Sequence, residues 1–223
     1  MNKTVSAIIP AYNEEDSIEA TIKTVKSIDK VKEVIVIDDG SEDETYQKAI
    51  KVAHKVIRLD VNQGKGSALN YGLKEAKGDI LLLLDGDLAE SASEAEKLIE
   101  PLLADRADMS IAQFPPSQIK GGFGLVKALA NWGLKKMTYQ EFSAPLSGQR
   151  ALSKDVIKKI DSFAEGFGVE VALTIDVCKA GFKVEEVPVN MNHRETKRDI
   201  KGFLHRGKQF KDVLRVILLK MRR

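Results

Sequence analysis

The chain has a single cysteine, Cys178, so neither an internal disulfide nor a cysteine-rich zinc site can form. That usage fits a reducing compartment such as the cytoplasm. No apolar run approaches the length needed to span a bilayer, and the first residues enter a strand-like pattern without signal-peptide architecture. An excess of charge of one sign is also missing. Lys+Arg 35 against Asp+Glu 33 leaves a net charge of +2, too small for a nucleic-acid polycation, and no nucleic-acid partner is expected. There is no internal repeat and no low-complexity segment. No Gly-x-Gly-x-x-Gly follows the first apolar run, which argues against a dinucleotide-binding dehydrogenase.

What is present describes an ordinary globular chain of 223 residues, 43% hydrophobic and 30% charged. That length predicts one domain with a C-terminal appendage. The stretch that organises it is Gly78-Asp79-Ile80-Leu81-Leu82-Leu83-Leu84-Asp85-Gly86-Asp87. Five consecutive aliphatic residues suit a strand buried on both faces. It runs straight into two aspartates separated by a glycine, at the strand end where open α/β sheets bind ligands. With no basic residue beside them in the sequence, the two carboxylates repel each other unless a cation sits between them. Hard oxygen ligands of this kind suit Mg²⁺ or Mn²⁺ bridging a diphosphate. A polar turn after a buried strand is the plainer reading of the same three residues.

Taken in order, the pattern alternates. Apolar runs at 5–10, 34–37, 56–59 and 80–84 read as strands, with helical periodicity over 18–28, 43–52 and around Leu69 and Leu73. Alternation of this kind predicts a mostly parallel sheet with right-handed crossovers. Each strand then delivers a polar cluster to one rim: 10–14, 38–41, 62–66 and 85–87. Four clusters converging on one rim point to a ligand site. The second half is less regular. It predicts a helix at 95–103, a strand at 109–112, helices at 125–134, 155–160 and 169–180, and an edge strand at 184–189 containing Pro188. Residues 200–221 read as a long amphipathic helix. Trp132 is expected in the core, Cys178 as a small buried hydrophobe, and Asp79 as a turn residue away from the rim.

In combination these residues resemble the nucleotide-sugar glycosyltransferases of family 2, which have the GT-A fold. The matching elements stand in family order: Ile9-Pro10-Ala11-Tyr12-Asn13-Glu14-Glu15, then Val36-Ile37-Asp38-Asp39-Gly40-Ser41 with Asp43 and Thr45, Asn62-Gln63-Gly64-Lys65-Gly66, and Asp85-Gly86-Asp87. More narrowly, Gly121-Gly122-Phe123-Gly124, Pro145-Leu146-Ser147-Gly148, Gly166-Phe167-Gly168-Val169-Glu170 and His193-Arg194 resemble glucosyl-3-phosphoglycerate synthases. Val187-Pro188 and the basic residues through Arg198 are similar instead to polyprenyl-phosphate sugar transferases. The resemblance implies an α/β GT-A (Rossmann-like), mostly parallel sheet flanked by helices, with a C-terminal amphipathic helix. It implies a catalytic domain over 1–192, with a nucleotide-sugar half at 1–90 and an acceptor half at 91–192, followed by a basic helical segment at 193–223.

The resemblance also implies roles. Pro10, Ala11, Tyr12 and Glu14 would line the base and ribose pocket, and Asp39 would read the uracil edge of a UDP-sugar. Lys65, on the loop with Gly64, would reach a phosphate or the base rim, and Asp85 and Asp87 would bind Mg²⁺ or Mn²⁺ with His193 completing the shell. A surface or core role for His193 stays open beside that one. On the acceptor side stand Ser147, Gly148 and Arg150, the last either a substrate contact or a solvated charge. Glu170, rather than Glu165, is the candidate catalytic base, against a helix-start glutamate favoured by the helix dipole. The phosphoglycerate enzymes follow their glycines with an arginine and a threonine, where this chain has Phe123 and Val126. That departure leaves the acceptor unidentified.

A nucleotidyltransferase, the reading from another class, would carry a glycine- and arginine-rich loop after the first strand, and residues 10–15 have neither. Between Lys201 and Arg223 the basic residues are Lys201, Arg206, Lys208, Lys211, Arg215, Lys220, Arg222 and Arg223, with Asp212 alone opposing them. Such a helix suits an anionic membrane surface and a lipid-linked acceptor at the inner face of the cell membrane. Packing on its own sheet, or on a homodimer mate, is the alternative.

Overall fold

The computed structural model describes residues 3–115, 124–160, 162–164, 166–191 and 200–221, with side chains of the last segment from Gly207 onward. A seven-stranded sheet forms the centre. Its strands are β1 (Val5–Ala11), β2 (Val31–Asp38), β3 (Lys55–Arg58), β4 (Ile80–Leu83), β5 (Met109–Gln113), β6 (Arg150–Ser153) and β7 (Val184–Pro188). Their order across the sheet is β3-β2-β1-β4-β6-β5-β7. All neighbouring pairs are parallel except those made by β6, which runs antiparallel to both β4 and β5. The helices are α1 (Ile18–Ser27), α2 (Thr45–Ala49), α3 (Lys65–Glu75), α4 (Glu96–Leu103), α5 (Gly124–Thr138), α6 (Lys154–Lys159), α7 (Val169–Lys179) and α8 (Ile200–Met221).

The strand period of two sorts the apolar side chains into a core on each face of the sheet. Ala7 and Ile9 of β1, with Ile80 and Leu82 of β4, turn toward α1 and α4, where Ile18, Ile22, Val25, Leu98 and Leu102 are buried. Ile8, Leu81 and Leu83 turn the other way, toward α3, α5, α7 and α8, and meet Leu69, Leu134, Ile175, Val213 and Ile217. Both faces of β4 are covered, as its unbroken aliphatic run requires. Each such side chain contributes about 1.5–3 kcal/mol of burial free energy.

Three features depart from expectation. Residues 150–153 form a strand where the sequence suggested only the approach to a helix, since four residues with an arginine in front carry little strand signal. Trp132, expected in the core, is half exposed on α5. Helix α8 lays Val213, Val216 and Ile217 into the second core, and its Lys220 pairs with Asp176 of α7 at 2.5 Å. Asp79 is the turn residue anticipated, accepting from the backbone and hydroxyl of Thr4. Among the described residues no helix is long and apolar enough to cross a membrane.

Candidate active site

Parallel pairing brings the carboxyl ends of β1, β2, β3 and β4 to one rim. β6, being antiparallel, brings its first residue to that rim instead. The 145–149 loop therefore arrives beside the end of β4. No crossover helix could have delivered it so directly.

The first two loops lock together through backbone groups. The amide of Asn13 donates to the Ser41 hydroxyl at 3.0 Å, that of Glu14 to the Thr45 hydroxyl at 2.8 Å, and that of Glu15 to the Asp43 carboxylate at 3.2 Å. Three consecutive donors that no strand can pair are thus satisfied by alternate side chains of one motif. The hydrogen bonds from Thr45 and Glu15 outweigh the cost of burial and hold Asp43 below its ordinary value. The outcome is a fixed loop with the Tyr12 ring partly exposed at the rim and Ala11 buried beneath it.

Asp39 is buried, and its two oxygens accept from the backbone amides of Gln63 and Gly64, both at 2.8 Å. These amides lie at the start of α3, where negative charge is favoured by the helix dipole. Asp39 therefore sets the position of the loop that carries Lys65. A carboxylate has further lone pairs, so this does not bar an additional donor. Its neighbour Asp38 is fully buried and pairs with Arg58 at 3.2 Å.

The centre of the site is Asp85. Its Oδ1 accepts from Lys65 Nζ at 2.5 Å and its Oδ2 from Gln149 Nε2 at 2.6 Å. Lys65 also lies 3.3 Å from Glu170 Oε1. Burial alone would lower the Lys65 ammonium, but Asp85 and Glu170 outweigh it and hold it well above the ordinary lysine value. The sequence puts no basic residue beside the aspartate pair. The structure corrects this, because α3 swings a lysine from 20 positions upstream onto Asp85. Gly148 makes room for it, since a β-carbon there would stand 2.2 Å from Lys65 Nζ. On the other side, the hydroxyls of Ser17, just before α1, and of Thr21 on α1 both donate to the Gly86 carbonyl, at 3.1 and 2.9 Å. The Asp85-Gly86-Asp87 turn is thus held from two directions.

Arg150, expected either at the acceptor or in solvent, is 1% exposed. Its guanidinium donates to the carbonyls of Ser147 and Pro145 and to the Thr174 hydroxyl, which in turn donates to the Glu170 carbonyl. Burial pushes it down to about 10, with Glu170 and Glu186 opposing, and it stays a cation at neutral pH. Its place is beneath the loop, so it cannot touch an acceptor directly. Ser147 is buried as well, its hydroxyl 3.4 Å from Gln149 Oε1.

Of the residues singled out in the sequence, the structure thus gathers Asp85, Lys65, Gly148 and Glu170 into one cluster. Pro10 and Ala11 close β1 beside it, and Tyr12 and Glu14 lie on the loop that follows. His193 and Glu165 lie outside the described residues. Ser17, Thr21 and Thr174 were missed: each acts across the fold, and nothing local marks them. Gln149 belongs to the 147–150 stretch expected near the acceptor or the diphosphate, and its bond to Asp85 is what the sequence did not show. Among the described residues no group of three His, Cys, Asp or Glu side chains is arranged to hold a metal ion. Asp85 and Asp87 nonetheless suit a hard divalent cation that draws its remaining ligands from water and a substrate diphosphate. The donor set fits Mg²⁺ or Mn²⁺, as a partial shell.

Comparison with known proteins follows the same lines. The family model for glycosyl transferase family 2 matches residues 6–160. An uncharacterized protein of Methanocaldococcus jannaschii is 33% identical over 202 residues, covering 86% of this chain and 82% of its own. The glucosyl-3-phosphoglycerate synthase of Mycolicibacterium smegmatis is 31% identical over 78% of this chain, and the dolichol-phosphate mannosyltransferase of Pyrococcus furiosus 29% identical over 85%. This chain spans 64% and 57% of those two enzymes' own lengths. The crystal structure of Mycobacterium tuberculosis glucosyl-3-phosphoglycerate synthase with Mn²⁺, UDP and phosphoglyceric acid superposes with a TM-score of 0.81 at 27% identity. It covers 98% of this chain and 78% of that one. The same enzyme with Mg²⁺ and UDP gives 0.79 at 28% identity, over 98% and 79%.

Proposed function

The chain belongs to glycosyl transferase family 2, and on that footing we propose that it moves a sugar from a UDP-sugar to an acceptor, using Mg²⁺ or Mn²⁺. The observation that carries this reading is the meeting of four loops at one rim, with Lys65 paired to both Asp85 and Glu170. Pro10, Ala11, Tyr12 and Glu14 form a wall for the nucleoside, and the Asp39-held loop places Gly64 and Lys65 against the diphosphate. Asp87, with Asp85, would hold the cation, and His193 is a further candidate ligand. The bound metal would stabilise the negative charge that develops on the departing nucleoside diphosphate. Lys65 supplies a fixed positive charge to the same region. Glu170 is in reach of that lysine and is our candidate for the base that takes the acceptor proton.

Two acceptors fit the chemistry. A soluble phosphorylated acid is supported by the likeness to glucosyl-3-phosphoglycerate synthases. Against it, Val126 is buried in α5 and has no group to offer a phosphate. A lipid-linked phosphate is supported by the likeness to the dolichol-phosphate enzyme and by α8. Although Val213 and Ile217 face inward, Phe210, Leu218, Leu219 and Met221 stay exposed near Lys208, Lys211 and Arg215. In that reading the enzyme works in the cytoplasm at the inner face of the membrane. A homodimer through the same helix face is the remaining use of it.

The test is to incubate the protein with labelled UDP-sugar and labelled nucleoside triphosphate together, in the presence of phosphoglycerate or of a membrane extract. Consumption of the UDP-sugar supports the proposal, and the acceptor that gains label names itself. Consumption of the triphosphate alone would make this a nucleotidyltransferase instead.

A further inference from the structure

The cluster at Asp85 contains one member whose chemistry the donor site does not explain, the amide of Gln149. Its side chain is 2% exposed, and its Nε2 donates to Asp85 Oδ2 at 2.6 Å. Only the NH₂ end of an amide can face a carboxylate at that distance, so the orientation follows from the pairing. Oε1 is left for the Ser147 hydroxyl, 3.4 Å away. The backbone is fixed as well, because the Gln149 carbonyl accepts from Ala112 of β5 at 3.0 Å. Below it, the buried guanidinium of Arg150 clamps the carbonyls of Ser147 and Pro145. Gln149 is thus a rigid neutral donor aimed at one oxygen of Asp85.

A neutral donor does something that Lys65 cannot. The lysine, on four flexible carbons, neutralises the carboxylate but leaves its plane free to turn about the Cα–Cβ and Cβ–Cγ bonds. An amide fixes the plane without cancelling the charge, which stays available to a cation or a ribose hydroxyl. Ligand carboxylates are commonly held by such outer partners, and losing one typically costs about 10- to 100-fold in metal affinity or activity. We infer that Gln149 is a positioning residue for the donor site: it orients Asp85 and thereby ties the 145–149 loop on the acceptor side to the diphosphate end of the donor. The inference rests on the proposed donor reading, with UDP and a divalent cation as the ligands.

The test is calorimetric binding of UDP in Mn²⁺, without acceptor or turnover, for wild type and three variants. Gln149→Met keeps the volume and removes the donor. Gln149→Glu keeps the shape and puts a second carboxylate against Asp85. Ser143→Ala removes a hydroxyl bond to Glu186 that anchors the same segment to β7, touches neither Gln149 nor Asp85, and so reports on loop packing alone. Melting temperature is recorded for each. Gln149→Met should weaken UDP–Mn²⁺ binding about tenfold or more and Gln149→Glu should weaken it further. Ser143→Ala should stay within about threefold of wild type, and all three should remain folded at the assay temperature. Wild-type affinity in both Gln149 variants would overturn the inference, even if their melting temperatures fell. An equal loss in Ser143→Ala would also overturn it, since loop packing would then explain the effect. A wild-type protein that fails to bind UDP with Mn²⁺ would instead defeat the donor reading itself.

Discussion

At the scale of single residues, the site is built from groups whose partners lie far away in sequence. Asp87 lies past the end of the buried strand β4 and is the proposed metal ligand. Asp87→Ala is expected to abolish sugar transfer while leaving the circular dichroism spectrum and melting temperature near wild type. Excess EDTA should have the same effect on the wild type, and full activity in EDTA would contradict the metal assignment. Cys178 offers a separate check on how the second half packs. Burial pushes its thiol up to about 11, with Arg150 acting the other way. At pH 8.5 the reactive thiolate is therefore scarce, and iodoacetamide should label the folded protein on the order of a hundredfold more slowly than the unfolded one. Equal rates would mean that Cys178 is not held where the structure has it. What was legible at this scale was the identity of the polar clusters. What was not legible was their wiring: nothing local says that Ser41, Asp43 and Thr45 cap three amides of another loop, or that Lys65 sits on Asp85.

At the scale of elements, six of the seven strands were legible, β1, β2, β4 and β5 from buried apolar runs and the less buried β3 and β7 from shorter ones. β6 escaped because only Ala151 and Leu152 of its four residues are apolar, and its signal is lost among the turns around it. Helix α8 was found, but its partner was not. An amphipathic helix has the same periodicity whether it lies on lipid or on protein, and only the contacts decide. Here Gly133 of α5 lets α8 approach closely, since a β-carbon there would fall 2.5 Å from Ile217 Cδ1. Gly133→Val should therefore destabilise the fold by overpacking, about 1–3 kcal/mol. Ile217→Ala should do so through a cavity, about 2–5 kcal/mol. Both are measured by denaturant unfolding. A change under 0.5 kcal/mol in both would show that α8 is not docked in solution and would strengthen its membrane role.

At the scale of the whole molecule, two cores hold a sheet whose single antiparallel strand brings the acceptor-side loop against the donor-side strand ends. The near-neutral total charge conceals a division between an acidic rim, with Asp38, Asp39, Asp85, Asp87 and Glu170, and a basic C-terminal helix. An acidic rim does not bind a free diphosphate by itself, so the account requires the metal and Lys65 to reverse the local sign. The measurement that tests this most directly is a calorimetric titration of the wild-type protein with UDP, GDP and ADP, each in Mn²⁺ and again in EDTA. The account expects UDP to bind most tightly in Mn²⁺ and none of the three to bind appreciably in EDTA. UDP binding that is unchanged in EDTA, or a clear preference for GDP, would contradict it.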